Sequence, residues 1–283
     1  MNWWQALILG IVQGLTEFLP VSSSGHLVIF RELLGAEAPQ DLMFEITVHV
    51  ATALATIVIF RKQIIDLLQG LFKFKYNPQT EFILKLVVSM IPVAVVGILF
   101  KDKVEDLFGS LLVVGCALLV TAVLLYLSDK ARSFASLRMT KEAEGTAAEA
   151  EGTAAEAGKE VTWGQALIMG LGQALAVVPG LSRSGTTIST GLLSGASRGK
   201  VAEFSFLMVL VPILGEAFLD LVGGDAAASS IGTLPLAIGF IAAFVSGLFA
   251  CKAMIALVKK AGLKWFALYC AVVGLIVIIS SLV

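Results

Sequence analysis

Two hydrophobic stretches that cannot complete a membrane crossing constrain this chain more than any other feature. Residues 3–34 run apolar until Pro20 and the serines of "PVSSSGH"; residues 163–196 do so until Pro179, Gly180 and "SRSG". Each half of such a stretch is shorter than the ~20 residues a spanning helix needs. Irregular backbone at membrane depth is tolerated only where protein buries it or a cavity borders it. Both stretches are therefore expected to be re-entrant helical hairpins, entering to mid-depth and leaving on the same side.

The two stretches are copies of each other. Shifted by 160 residues, "WWQALILGIVQGLTEFLPVSSSGH" (3–26) lies over "WGQALIMGLGQALAVVPGLSRSGT" (163–186), matching at Trp3/Trp163, Gln5/Gln165, Gly10/Gly170, Gln13/Gln173, Ser22/Ser182, Ser24/Ser184 and Gly25/Gly185. An internal duplication follows. Residues 1–141 form a first repeat, 161–283 a second, and the low-complexity "EAEGTAAEAEGTAAEAGKE" (142–160) a linker with no part in the site.

With 58% hydrophobic and 14% charged residues and a mean hydropathy of +0.93, the chain reads as an all-α polytopic membrane protein. Spans are expected at 44–60, 82–100 and 107–127 in the first repeat, and at 204–222, 231–251 and 263–283 in the second. Each repeat is thus one hairpin plus three transmembrane helices, and an odd number of crossings gives the halves opposite orientation. Loop charge agrees: Arg61, Lys62, Lys73, Lys75 and Lys85, then Lys130, Arg132, Arg138 and Lys141, then Lys252, Lys259, Lys260 and Lys264 fall in alternate connections, as cytoplasmic loops should. Both termini then lie outside, and the first hairpin enters from there. This is an inverted-topology repeat, whose interrupted helices meet to build a site.

Twenty Lys and Arg nearly balance 21 Asp and Glu, so nothing points to nucleic acid. Cys116, Cys251 and Cys270 sit in apolar runs without metal or disulfide spacing and read as small hydrophobes. The N-terminus lacks the basic and cleavage segments of a signal peptide and is expected to belong to the fold. Ionisable groups within apolar runs cost roughly 2.5–3.5 kcal/mol each on insertion scales and mark pathways or sites. Glu17, with Gln13 one turn earlier, and His26 flank the first break. Arg183, between Ser182 and Ser184, stands where the second hairpin leg begins; guanidinium, hydroxyls and helix-end amides there suit an anion, above all phosphate. Glu45 and His49, four apart, are expected as a supporting or mutually bonded pair. Glu216 and Asp220 share a face too, with Asp220 explained by snorkelling.

These motifs resemble those of the undecaprenyl-pyrophosphate phosphatases, the bacitracin-resistance family of bacterial membranes. "QGLTE" fits the family's (E/Q)-x-x-x-E pattern and "PGLSRSGTT" its P-G-x-S-R-S-x-x-T pattern, and the likeness extends over nearly the whole chain. The resemblance implies hydrolysis of undecaprenyl pyrophosphate to undecaprenyl phosphate and inorganic phosphate in the bacterial inner membrane, with the site facing outward. It carries importance onto Glu17, Ser23, His26, Ser182, Arg183, Ser184 and Thr187. It also implies a divalent cation, Mg2+ or Ca2+, for which Glu17 is the natural ligand; Gln13 stands where other members carry Glu.

In this reading Ser22, Ser24, Ser182, Arg183, Ser184 and Thr187 bind phosphate. Ser23 is the nucleophile, His26 its general base, and Glu17 orients His26 or holds the metal, with His26 itself or a water as alternative nucleophiles. Gln13, Glu45 and His49 support them. The polyprenyl lipid and the membrane are the expected partners, and a homodimer is left open. The rival from another class is a polyprenyl-phosphate transporter or flippase, which shares the architecture but does not need the Glu17, Ser23, His26 cluster. The acid-phosphatase-like lipid phosphatases need a second histidine after an S-R pair, and no histidine follows His49.

Overall fold

A computed structural model describes residues 1–36, 42–107, 109–143, 160–223, 231–260 and 262–282. The expected linker 142–160 falls almost wholly outside the described residues, as do the side chains of Glu216 and Asp220. Every regular element among the described residues is a helix. In the first part of the chain these are α1 (Trp3–Phe18), α2 (Ser23–Leu33), α3 (Leu42–Ile59), α4 (Arg61–Leu71), α5 (Pro78–Leu99), α6 (Lys101–Leu107) and α7 (Leu111–Ala143). Then follow α8 (Trp163–Leu175), α9 (Arg183–Leu193), α10 (Arg198–Met208), α11 (Leu210–Gly223), α12 (Thr233–Lys260) and α13 (Lys264–Leu282).

The α1–α2 and α8–α9 pairs are hairpins, each closed by one glutamine. Gln5 Oε1 accepts from the Asn2 amide at the start of α1, and its Nε2 donates to the Leu34 carbonyl where α2 ends. Gln165 does the same 160 residues on, accepting from the Thr162 amide and donating to the Ser194 carbonyl. The far ends match as well: Gly35 and Gly195, at φ +54° and +84°, close the helices as left-handed caps. At 1.5 Å per residue the 16-residue α1 is only ~24 Å long, short of a ~30 Å hydrocarbon core.

Among the described residues four helices are long and apolar enough to cross a membrane: α5, the first part of α7, most of α12, and α13. A fifth crossing arises if α3 is joined to α4, which leaves it at 78°. The chain is a multi-pass membrane protein. The stretch 204–222, expected as one span, is instead broken at Val209 between α10 and α11. Pro212 accounts for the break, since it donates no amide and its ring crowds the carbonyl of Met208 four residues earlier.

Each hairpin is walled by a helix from the other half of the chain: α1 packs on α12, α8 on α5, and α7 pairs with α13. Glycines permit the close approach. A Cβ at Gly10 would come within 2.5 Å of the Gly239 carbonyl oxygen, and one at Gly170 would strike the Ser89 backbone. The hairpin tips meet reciprocally, Gly25 against Gly180 and Gly185 against Pro20.

Candidate active site

The site forms where the tips of the two hairpins meet. Leu19 is extended ahead of Pro20, ending α1, because a residue before proline is driven out of the helical region. Ser22 caps α2 by accepting the Gly25 amide at 3.2 Å, and Ser182 caps α9 by accepting the Gly185 amide at 3.0 Å. Their backbones differ: Ser22 sits at φ +72°, a strained conformation for a residue with a Cβ, and Ser182 at −64°. Strain is thus confined to the tip that carries Glu17, Ser23 and His26.

Glu17, 8% exposed, is the hub of that tip. Its Oε2 accepts from Ser23 Oγ at 2.6 Å and from Gln13 Nε2 at 2.9 Å, and lies 4.0 Å from His49 Nε2. His49 holds this direction because its Nδ1 donates to the Glu45 carbonyl at 2.8 Å. Glu45 and His49 thus bond through the Glu45 backbone and not through its carboxylate, which is bound by Arg31 at 2.6 Å.

His26 faces away from Glu17. Its Nδ1 donates to the Ser22 carbonyl at 2.7 Å, so in the neutral ring Nε2 is the acceptor, and it takes the hydroxyl of Tyr269 at 2.7 Å. The two rings stack, 5.6 Å apart and 12° from parallel. Ser23 therefore shares its proton with Glu17, and both nitrogens of His26 are engaged elsewhere. Tyr269, 243 residues distant on α13, carried no signal in the sequence, being one aromatic in an apolar run.

Between the tips lies a narrow cavity lined by Glu17, Phe18, Gln173, Arg183, Ser184 and Thr187, with the end of α10 closing it through Ser205, Phe206 and Val209. The helix break that Pro212 causes thus borders the cavity. The side chain of Arg183, first residue of α9, makes no hydrogen bond or ion pair among the described residues and borders the cavity together with Glu17. Its guanidinium and the first-turn amides of α9 leave donors for an anion. Ser184 donates to the Leu19 carbonyl at 3.1 Å, and Thr187 to the Arg183 carbonyl at 2.8 Å with Ser205 Oγ 2.6 Å away. Ser22 and Ser182 act as caps, and Ser24 lies 3.4 Å from Ser22 Oγ. Of the expected phosphate-binding group, then, Arg183, Ser184 and Thr187 border the cavity directly.

A divalent cation can be tested against these groups. Among the described residues no cluster of three or more His, Cys, Asp and Glu exists. Gln13 Oε1, however, is a buried oxygen with no partner among the described residues, and its side chain bonds Glu17. One carboxylate and a free amide oxygen suit a hard ion that completes its shell with water and phosphate oxygens. The residues fit such a group.

In class, this is a polytopic helical membrane protein whose two hairpins bring a buried acid and an arginine without a partner among the described residues to one cavity. Residues 6–276 match the profile of the family described as bacitracin resistance protein BacA, and the chain belongs to that family. It is 51% identical over 285 residues to an undecaprenyl-diphosphatase of Bacteroides fragilis, covering 99% of both chains. It is likewise 51% identical to one of Parabacteroides distasonis over 100% of this chain and 99% of the other, and 38% identical to one of Methanobrevibacter smithii with the same coverage.

Proposed function

We propose that this chain hydrolyses undecaprenyl pyrophosphate, releasing inorganic phosphate and the lipid monophosphate that carries cell-wall glycans. The observation that carries the reading is that Glu17, which holds the Ser23 hydroxyl, and Arg183, without a partner among the described residues, border one cavity. A carrier needs the arginine, but it has no use for a hydroxyl already hydrogen-bonded to a buried carboxylate. Full-length similarity to proteins named undecaprenyl-diphosphatase supports the same choice.

Burial of each methylene is worth about 0.8 kcal/mol, so a long polyprenyl tail stays in lipid and its headgroup must be met there. Arg183 and the first turn of α9 bind the terminal phosphate and hold its phosphorus in line with Ser23. Ser23 Oγ attacks, forming an O–P bond as the anhydride P–O bond breaks, and Glu17 accepts the serine proton. The lipid monophosphate leaves. Water then attacks the phosphoserine, releasing inorganic phosphate and restoring the hydroxyl. His26 and Tyr269 together hold the Ser22 carbonyl and the strained turn that aims Ser23. Glu17 and Gln13 would hold a divalent cation, which when bound supplies neutralisation of the pyrophosphate oxygens.

Loop charges support an inner-membrane protein in which the repeats run in opposite senses and the cavity faces outward. The deciding experiment is phosphate release from undecaprenyl pyrophosphate by purified protein, with and without EDTA, beside Arg183→Ala. Turnover abolished by EDTA and reduced about 10²–10³-fold by Arg183→Ala is expected. Folded protein that binds the lipid without releasing phosphate would make it a carrier.

A further inference from the structure

Two buried carboxamides occupy the same position of the two repeats and share the same deficit. Gln13 on α1 is fully buried, and Gln173 on α8 is 1% exposed. Each nitrogen has a partner, Glu17 Oε2 at 2.9 Å for Gln13 and the Met90 sulfur at 3.7 Å for Gln173. Neither Oε1 has one among the described residues. A buried acceptor left unmet is costly, and native structures keep few of them. Here one recurs on each of two duplicated helices, and Gln173 borders the cavity together with Glu17 and Arg183.

The surroundings restrict what can meet the Gln173 oxygen. An ionised phosphate presents only acceptors and cannot. The hydroxyl protons of Ser184 and Thr187 are committed to backbone carbonyls, and the Arg183 guanidinium, which lines the same cavity, makes no hydrogen bond to this oxygen. A hard cation can, since Mg2+ and Ca2+ take carboxylate, amide carbonyl and water oxygens alike. With no cluster of His, Cys, Asp and Glu among the described residues, a protein site there must draw on amide oxygens.

We propose that Gln173 is a cation ligand, joining Glu17 and Gln13 in an all-oxygen site for a Mg2+- or Ca2+-class ion shared between the two repeats. The proposal rests on the phosphatase reading and deepens it: the second carboxylate missing at Gln13 is made good by an amide from the other hairpin. With one protein carboxylate against a divalent ion, the centre stays net positive and, beside Arg183, draws pyrophosphate.

Mn2+ binding to the purified full chain, followed by electron paramagnetic resonance without substrate, tests this. Gln173→Leu should weaken binding about tenfold or more, while the nearly isosteric Gln173→Glu, which preserves packing, should tighten it. Equal Mn2+ affinity in wild type and both variants would assign the oxygen to a trapped water and overturn the proposal, as would a wild type that binds no Mn2+. If affinity is indifferent to residue 173 but phosphate is released from undecaprenyl pyrophosphate, the cation proposal fails and the phosphatase reading stands. Affinity that depends on residue 173 without any phosphate release confirms the ligand and removes the phosphatase reading.

Discussion

Ser23 Oγ donates to Glu17 Oε2 across 2.6 Å, tying the first residue of α2 back to the last turn of α1. A single hydrogen bond thus closes the first hairpin at its tip and sets a carboxylate on the hydroxyl proposed as nucleophile.

That pairing separates the two residues experimentally. Glu17→Gln should lower turnover about 10²–10⁴-fold, the usual worth of a general base, yet still let a phosphoenzyme form slowly. Ser23→Ala should yield no phosphoenzyme at all. Acid-quenched labelling with radioactive substrate, followed by peptide mapping, reads both. Label on His26 would reject the serine as nucleophile.

Tyr269 reaches His26 through its hydroxyl, so Tyr269→Phe removes one hydrogen bond and keeps the stacked ring. A neutral bond of this kind contributes about 0.5–1.5 kcal/mol, which corresponds to a roughly 2–10-fold fall in kcat with KM little changed. Steady-state kinetics of Tyr269→Phe beside His26→Ala checks it. Equal losses in the two would make the hydroxyl part of the chemistry, and an undiminished kcat would detach the pair from turnover.

Orientation is accessible at two exposed residues. Leu33 ends α2 at 73% exposure and Phe74 follows α4 at 89%. In intact cells a membrane-impermeant maleimide should label Leu33→Cys and spare Phe74→Cys until the membrane is opened. The reverse pattern would place the cavity on the cytoplasmic side.

Much of the site was legible because polar residues are conspicuous in an apolar chain. Glu17, Ser23 and Arg183 stood out against their runs, and the 160-residue shift that aligns the sequence is also the interval at which the Gln5 and Gln165 bonds recur. What stayed hidden was pairing. Nothing local says that His26 turns to Tyr269 rather than to Ser23, because the choice is made by α13 packing beside α2 and α7. Glu45 and His49 were expected as a supporting or mutually bonded pair; they bond through the Glu45 carbonyl, while Arg31 from α2 takes the carboxylate. The interruption at Val209 was masked by apolar residues on both sides, although Pro212 was in plain view.

The packing of α1 on α12, and of α8 on α5, also governs how the protein can be made. During synthesis the first hairpin emerges with its buried acid and hydroxyls more than two hundred residues ahead of the helix that walls it in. Until α12 is inserted, α1 lacks its main wall, although α3, α7 and the second hairpin, which also meet the tip, precede α12 in the chain. Chains released just before α12 would hold every cavity-lining residue from Glu17 to Val209 without the helix that covers α1, and would be natural targets for membrane quality control rather than partially active enzymes.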